Sequence, residues 1–568
     1  MRNKEVAGLL YEIADLLDLK GEMFKPNAYR RAARAIEGLS DDVESLKVQD
    51  KVGEVPGVGK AIAEKIAEFL DTGTITLLEQ LKAEIPPGVV EMLDIPGVGP
   101  KTARLLWGTL HVTSVEELRK AAESHKLSEL KGLGAKKEEK ILKGIAFLAE
   151  ARKRTPLGIA LPLAEEIVSH LRGIVPEIEI SYAGSLRRMR ETVGDIDFLI
   201  VTERREDAIR TFISMPLVRE VVAAGDTKAT VILQTGVQAD LRVLDAGSWG
   251  SGLQYFTGSK DHNVHLRTIA QKQGLKLGEY GVFKGEERIA GENEDGVYRA
   301  LGLHYIEPEL REDMGEIEAA QAGRLPRLVS LSDIKGDFHV HTNATDGADT
   351  LEAVVKTARQ RGYEYIGISD HSRSLAVAHG LSAEALLQRR DEIRALGRER
   401  GGVRILFGTE CEILENGGLD YADEVLKELD YTIAAVHSKF NMSLEEMTNR
   451  VLTAVSHPYV NVLAHPFTGL IGYRGPIQLD LERVVEEAVE AGTALEMNAF
   501  PDRLDLSGPQ ARLAKEKGAK LAIDTDSHSV HHLAHMRFGV GMARRGWLEC
   551  EDVVNCWPVE RVMEFFSR

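Results

Sequence analysis

The chain has 568 residues, with 71 Lys and Arg against 89 Asp and Glu and a formal net charge of −18. That length exceeds one hydrophobic core and predicts roughly three to five domains. The composition, 43% apolar and 6% aromatic, suits globular units, and no run approaches the ~18 apolar residues of a membrane span, which excludes a membrane-spanning helix.

Met1 to Lys20 mixes acids into an amphipathic pattern, with Leu9, Leu10, Ile13, Leu16 and Leu17 at helical spacing. It reads as a core helix and not as a secretory signal. Residues 1–75 are expected as short helices carrying Phe24-Lys-Pro-Asn-Ala-Tyr-Arg-Arg-Ala-Ala33 and then Val55-Pro-Gly57-Val-Gly59-Lys60-Ala-Ile-Ala-Glu-Lys65-Ile66. The second stretch is a helix-hairpin-helix turn: Gly57 and Gly59 allow a tight bend whose amides, at a helix N-terminus, face a phosphate without reading sequence. It recurs within residues 76–152, at Asp94-Ile-Pro-Gly97-Val-Gly99-Pro-Lys101 and more weakly at Leu130-Lys-Gly132-Leu-Gly134-Ala-Lys-Lys137. A single such turn is an ordinary helix connection, whereas the repetition predicts DNA binding.

Residues 153–245 alternate as strands at Ile178–Tyr182, Val193–Val201, Ala229–Gln234 and Val237–Leu244. Side chains alternate along a strand, so Asp195 and Asp197 share one face while Ile196, Phe198 and Ile200 take the other. Asp240 on a further strand can add a third carboxylate, and three such groups can hold two Mg²⁺ for phosphoryl transfer. Taken alone, Gly-Asp-Ile-Asp is also simply a strand leaving a turn. Upstream, Tyr182-Ala-Gly184-Ser185-Leu-Arg187-Arg188 offers a glycine turn, a hydroxyl and two guanidiniums to a phosphate. Residues 246–312 follow with Tyr255-Phe256-Thr-Gly258-Ser259, Lys260, Asn263 and Lys276-Leu-Gly-Glu-Tyr-Gly-Val-Phe283.

These motifs together resemble the family X DNA polymerases, the DNA polymerase beta-like nucleotidyltransferases. The resemblance implies Asp195, Asp197 and Asp240 as catalytic Mg²⁺ or Mn²⁺ ligands, Ser185 and Arg188 on the triphosphate, Tyr255, Phe256 and Gly258 along the sugar, Asn263 at the base edge, and Gly184, Ser259 and Lys260 also in the nucleotide site. Gln238 stands where the family often has arginine, and Lys260 where animal relatives have an acid. The first 70 residues are similar to the family's gap-binding domain, in which a lysine matching Lys65 forms a Schiff base in relatives with lyase activity. A supporting lysine of that motif falls at Ala61, with Lys60 next door, and Lys65 reads as a phosphate contact or solvated residue in preference to a nucleophile.

Residues 313–334 pass from an acid-rich helix to Arg-Leu-Pro-Arg-Leu and are expected to be a linker. From residue 335 to 568 a strand–helix rhythm of about thirty residues predicts a barrel of βα units, with its active face at the strands' C-terminal ends. The apolar runs end in His339-Val-His341, Ser-Asp-His371, Thr-Glu410, Val-His437, Ala-His465, Leu-Glu496 and Asp526-Ser-His528. A barrel gathers those ends at one mouth. His379, His531, His532 and His535 read as polar loop or helix residues. Cys411, Cys550 and Cys556 are scattered thiols without paired metal spacing, as expected in a reducing, cytoplasmic compartment.

This half resembles the polymerase and histidinol phosphatase (PHP) family, whose fold is a distorted (β/α)7 barrel. The match implies up to three ions: one on His339, His341, Glu410 and Asp526, a second on Glu410, His437 and His465, a third on Asp346, His371 and His528. Mixed imidazole and carboxylate ligands suit Mn²⁺ or Zn²⁺. Such a centre hydrolyses phosphoesters.

A polymerase joined to such a barrel resembles the bacterial PolX arrangement. The implied fold is multidomain: helical helix-hairpin-helix domains, an α+β palm with a thumb-like subdomain, and the PHP barrel. The implied function is gap filling in DNA repair with a 3′→5′ exonuclease and cutting at abasic sites. Gapped or primer-template DNA and dNTPs are the expected partners of a monomer at the nucleoid. Residues 1–300 hold 42 basic against 46 acidic side chains and residues 301–568 hold 29 against 43, so most of the acidity lies in the barrel half and DNA binding must rest on local phosphate sites. Three alternatives stay open: a nucleotidyltransferase for RNA or a small molecule, a non-catalytic gap-binding scaffold, and a barrel that dephosphorylates a small metabolite.

Overall fold

The structure is a computed structural model that describes residues 3–22, 24–37, 43–49, 51–55, 57–95, 97–151, 154–175, 179–398 and 402–567. The expected strand start at Ile178 and the domain boundary at 152/153 lie outside the described residues.

The described residues up to 151 form helices and their connecting turns, and the two expected domains share one core. Leu10, Ile13 and Leu16 of the helix Asn3–Lys20 join Ile66 and Phe69, and also Leu106 of Pro100–Leu110 and Ile141. The reason is that the first helix packs against both halves, and ion pairs cross between them at Lys20–Glu84 and Lys82–Glu12.

The palm is a five-stranded sheet in the order Glu179–Tyr182, Asp195–Val201, Gln238–Leu244, Lys228–Leu233, Val218–Ala224. Only the pair Asp195–Val201 and Gln238–Leu244 is parallel. Ile196, Phe198 and Ile200 face the helices Leu157–Ile174 and Arg205–Ile213, with Phe198 edge-on to Phe212 at 6.1 Å. Leu199 on the opposite face meets Leu244 and Leu253, so the strand is covered on both sides beyond its acidic start.

The thumb sets the helices Trp249–Thr257, Lys260–Lys272 and Glu294–Ala300 against a three-stranded sheet. Its core of Leu266, Val282, Val297 and Tyr298 extends to Ile317, Ala320 and Leu328. The expected linker is therefore folded onto the thumb: Glu316 is fully buried, with an oxygen 2.6 Å from His262 Nδ1.

The C-terminal sheet has seven parallel strands in chain order: Gly336–Asp337, Tyr365–Ile368, Arg404–Glu412, Tyr431–Ala435, Val462–Leu463, Ala494–Asn498 and Leu521–Asp524. A bridge from Val340 to Ser527 nearly closes it into the (β/α)7 barrel. Phe338 stacks on Tyr365 at 5.3 Å and Tyr431 on Phe566 at 5.5 Å, filling the interior below the mouth. Gly367 and Gly408 leave room for the Tyr431 ring, which a Cβ at either position would strike. Among the described residues no helix is long and apolar enough to cross a membrane.

Candidate active sites

The parallel strand pair sets Asp197 directly opposite Asp240. Oxygens of Asp195, Asp197 and Asp240 all lie within 4.8 Å of one another. Burial, then the charges of Asp195 and Asp240, lifts the Asp197 carboxyl to about 7, and burial with Asp240 raises that of Asp195. Asp240 is oriented by Thr230 Oγ1 at 2.5 Å and Gln238 Nε2 at 2.7 Å, with Lys228 Nζ at 3.4 Å. Gln238 thus steers the third carboxylate. Like charges crowded this closely are the donor set that a divalent cation relieves.

Gly184 has φ +61°, and a Cβ there would stand 2.8 Å from Asp197 Oδ2. Glycine is what lets the turn Gly184–Arg187 lie against the aspartate, with half-buried Ser185 beside it. Arg187 donates to Glu294 at 2.9 and 2.7 Å and to Thr257 Oγ1 at 2.7 Å. Arg188 donates from Nε to Glu312 at 3.1 Å and from Nη1 to the Thr257 carbonyl. Gly258, at φ +70°, precedes Ser259 through a cis peptide. Ser259 caps the helix Lys260–Lys272 through the His262 amide, and Lys260 is exposed. Tyr255 and Phe256 meet edge to face at 5.1 Å, with the Arg242 guanidinium 4.6 Å over Phe256.

Asn263, expected at a base edge, is bonded to the protein framework here. It is 8% exposed, its Oδ1 accepts from Gln254 Nε2 and its Nδ2 donates to the Tyr255 carbonyl, each at 2.7 Å. In the first turn of its helix His262 and Asn263 are buried while Lys260, Asp261 and Val264 are exposed.

The three hairpins share one geometry. Val58, Val98 and Leu133 each donate to the carbonyl three residues back at 2.9 Å, and Gly57, Gly97 and Gly132 have φ of 89°, 96° and 94°. Gly59 and Gly99 start the helices Lys60–Thr72 and Pro100–Leu110 with no side-chain cap, and Gly134 precedes Ala135–Ala151. Lys60 and Lys101 are exposed and Lys65 is half-buried.

At the barrel mouth Glu410 is central. Its Oε2 lies 3.3 Å from His339 Nε2, 3.6 Å from His341 Nε2 and 2.8 Å from His371 Nδ1, and its Oε1 lies 3.1 Å from His437 Nε2 and 3.0 Å from His465 Nε2. Asp526 Oδ1 is 3.6 and 3.4 Å from His339 and His341. Asp346 reaches His371 and His528, both at 3.5 Å. Positive φ at His465 (24°) and Asp526 (51°) marks backbone held against its preference where these candidate ligands gather.

Burial opposes ionisation of Glu410, but His437, His339 and His371 hold it well below the usual carboxylate range. Burial and the neighbouring His371 and His528 push His341 down to about 3. His339 Nε2, both nitrogens of His341, His371 Nδ1 and Glu410 Oε2 are buried without a hydrogen-bond partner. Orphaned buried donors and acceptors that converge on common points fit a metal centre, because a cation satisfies each lone pair at once.

Further side chains hold these rings, among them Glu496, which the strand-end pattern had offered as a potential ligand and which instead stands behind two of the histidines. Glu496 Oε1 accepts from His339 Nδ1 at 2.5 Å, and its Oε2 accepts from the His465 amide at 2.6 Å. Glu412 takes His437 Nδ1 at 2.8 Å and its amide at 3.0 Å. Its spacing of two from Glu410 on one strand was the signal that could have found it. Asp370 accepts from the Thr342 amide at 2.8 Å and Thr345 Oγ1 at 3.0 Å, pinning the loop that carries Asp346. Arg503 Nε reaches Asp526 Oδ2 at 3.3 Å, a contact no motif announces. His532 and His535 stack beside Phe500, and the His528 amide lies 3.2 Å from His532 Nδ1.

Residues 1–75 match the helix-hairpin-helix domain family, 89–146 the SAM-like helix-hairpin-helix tandem, 252–312 the DNA polymerase beta thumb and 337–498 the PHP domain. The DNA polymerase/3′-5′ exonuclease PolX of Bacillus subtilis (strain 168) is 39% identical over 573 residues, covering 100% of both chains. A probable phosphatase of Acetivibrio thermocellus is 30% identical over 244 residues, 41% of this chain and 95% of that protein. DNA polymerase lambda of Rattus norvegicus is 25% identical over 341 residues, 55% of this chain and 56% of its own. With a likeness to PolX from end to end, and with palm, hairpins and barrel on one polypeptide, the chain belongs to the bacterial PolX family of family X DNA polymerases that carry a PHP domain.

Proposed function

We propose that the protein fills short gaps during DNA repair and trims 3′ ends, with a DNA polymerase site on the palm and a 3′→5′ exonuclease in the barrel mouth. The observation that carries this reading is the presence of cation-fitted clusters in each half, on a chain that also bears three hairpins of one shared turn geometry.

In the palm, Asp195, Asp197 and Asp240 would hold Mg²⁺ or Mn²⁺, which when bound acidify the primer 3′-hydroxyl and offset charge on the triphosphate. Gly184 and Ser185 present a turn to the phosphates of a dNTP, and Arg188 leaves Glu312 to pair with them. Tyr255, Phe256 and Gly258 border the sugar. In the barrel, His339, His341, Glu410 and Asp526, then Glu410, His437 and His465, then Asp346, His371 and His528 would hold Mn²⁺ or Zn²⁺, which when bound acidify water and stabilise charge on phosphoryl oxygens. Glu496 and Glu412 fix the imidazole orientations. The same hydrolysis would cut at abasic sites. The hairpin glycines and Lys60, Lys65 and Lys101 grip the gapped duplex. A DNA substrate puts the working protein at the nucleoid in the cytoplasm, as a monomer.

The test is a pair of variants on one gapped, 3′-labelled substrate. His339→Ala is expected to remove nuclease activity and spare extension, and Asp197→Ala to do the reverse; parallel loss of both activities in either variant argues against separate sites. A second reading, hydrolysis of a small phosphomonoester, draws on the likeness of the barrel to a probable phosphatase. Turnover of small phosphomonoesters in preference to the oligonucleotide would favour it.

A further inference from the structure

The barrel's helix Met536–Arg545 is also the face on which the polymerase half rests. Arg537 Nη1 lies 2.9 Å from both oxygens of Glu165 in the palm, and Arg544 Nε lies 2.7 Å from Glu309 in the thumb. Gly541 abuts Met189, whose side chain occupies the space a Cβ would need. Arg545 ends the helix with a side chain only 3% exposed, and its Nη1 donates at 2.9 Å both to the Arg188 carbonyl and to Glu312 Oε1.

Two features of the receiving turn give these contacts a consequence. Met189 has φ +53°, a conformation that a residue with a Cβ adopts only when its surroundings hold it. The barrel touches that turn at the strained residue itself, through Gly541, and at the preceding carbonyl, through Arg545. The carboxylate of Glu312 is shared, with Arg188 Nε at 3.1 Å, Arg190 Nη1 at 3.7 Å and Arg545 Nη1 at 2.9 Å on the same oxygen. When Arg188 turns away to a phosphate, Arg545 stays as the nearest cation on the half-buried Glu312, at 2.9 Å against 3.7 Å for Arg190, and keeps that carboxylate from losing its short ion pair.

We propose that Arg545 of the barrel is a positioning residue for the polymerase nucleotide site: it pins the turn that carries Arg188 and neutralises Glu312 while Arg188 serves the triphosphate. This rests on the reading of Arg188 as a triphosphate ligand. Nucleotide affinity in the palm is then set partly by the nuclease domain docked behind it.

The experiment is steady-state insertion into a one-nucleotide gap by the full-length protein. Arg545→Met is expected to raise KM for the dNTP about tenfold with kcat held within about twofold, since the lost interaction acts on binding. Arg545→Lys, which can keep one of the two contacts, falls between. Glu312→Gln added to Arg545→Met removes the stranded charge and brings KM back toward the parent. An unchanged KM in Arg545→Met, or KM, kcat and melting temperature all shifting together, or no recovery in the double variant, overturns the proposal. Arg188→Ala separates the two ideas: an unchanged KM there sinks the triphosphate role of Arg188, whereas a raised KM beside a normal Arg545→Met sinks only the role of Arg545.

Discussion

Glu496 accepts the Nδ1 hydrogen of His339 at 2.5 Å, which turns Nε2 of that ring toward Glu410 and Asp526. A carboxylate behind an imidazole selects its tautomer and raises its basicity as a ligand. Glu496→Gln is expected to lower metal affinity of the barrel by about 10- to 100-fold. Titrating Mn²⁺ into the metal-stripped protein and following exonuclease rate against Mn²⁺ concentration checks it, with activity recovering at high Mn²⁺.

Gly184→Ala places a methyl 2.8 Å from Asp197 Oδ2 at a φ of +61°. Both the clash and the left-handed backbone act on the turn beside the carboxylate proposed to hold the palm cation. Primer extension should fall about 100-fold, in line with the cost of a 1 Å misplacement of a catalytic group, while exonuclease activity and melting temperature stay near the parent values. Equal loss of both activities would mean that the damage is to folding.

Without a cation, the Asp197 carboxyl is lifted to about 7 against an ordinary value of 3.8. Its raised folded value means that protonation stabilises the metal-free fold, an effect full below about 4 and lost as pH rises through 7. A cation needs the ionised form, so the sign for binding is opposite. Mg²⁺ affinity at the palm should drop about tenfold for each pH unit below 7, the slope for one proton displaced per site. Calorimetric titration at pH 8, 7 and 6 measures it, and Asp197→Asn should flatten the dependence.

Glu294 receives Arg187 at 2.9 and 2.7 Å and the wholly buried Arg311 at 2.6 Å. Burial opposes its ionisation, yet Arg311 and Arg187 draw its carboxyl down to about 2 from an ordinary 4.5. The depressed value means that this stabilisation is present above about pH 4.5 and lost as pH falls through 2. Glu294→Gln leaves two guanidiniums short of a buried partner and should destabilise the polymerase half by about 3–5 kcal/mol. Urea unfolding at pH 7 tests the size, and the difference between variant and parent should shrink on acidification.

Much of both sites was legible because strand periodicity alone decides which side chains share a face. Asp195 and Asp197 had to project together, and in a barrel the strand ends bearing His339, His341, His371, Glu410, His437, His465 and Asp526 had to meet. Polar partners far apart in sequence carry no such periodicity. That Asp197 stands opposite Asp240, that Glu496 backs His339, that Asn263 turns inward and that Arg545 reaches Arg188 follow from register and packing between segments. The residues at 313–334 show the same divide: their acid, proline and basic content suggests a tether, but Ile317 and Leu328 find apolar cover only once the thumb is assembled. Local pattern thus determined which groups could do chemistry here, and tertiary packing decided which neighbours aim them, because a side chain's face is a property of its own strand while its partner is a property of the fold.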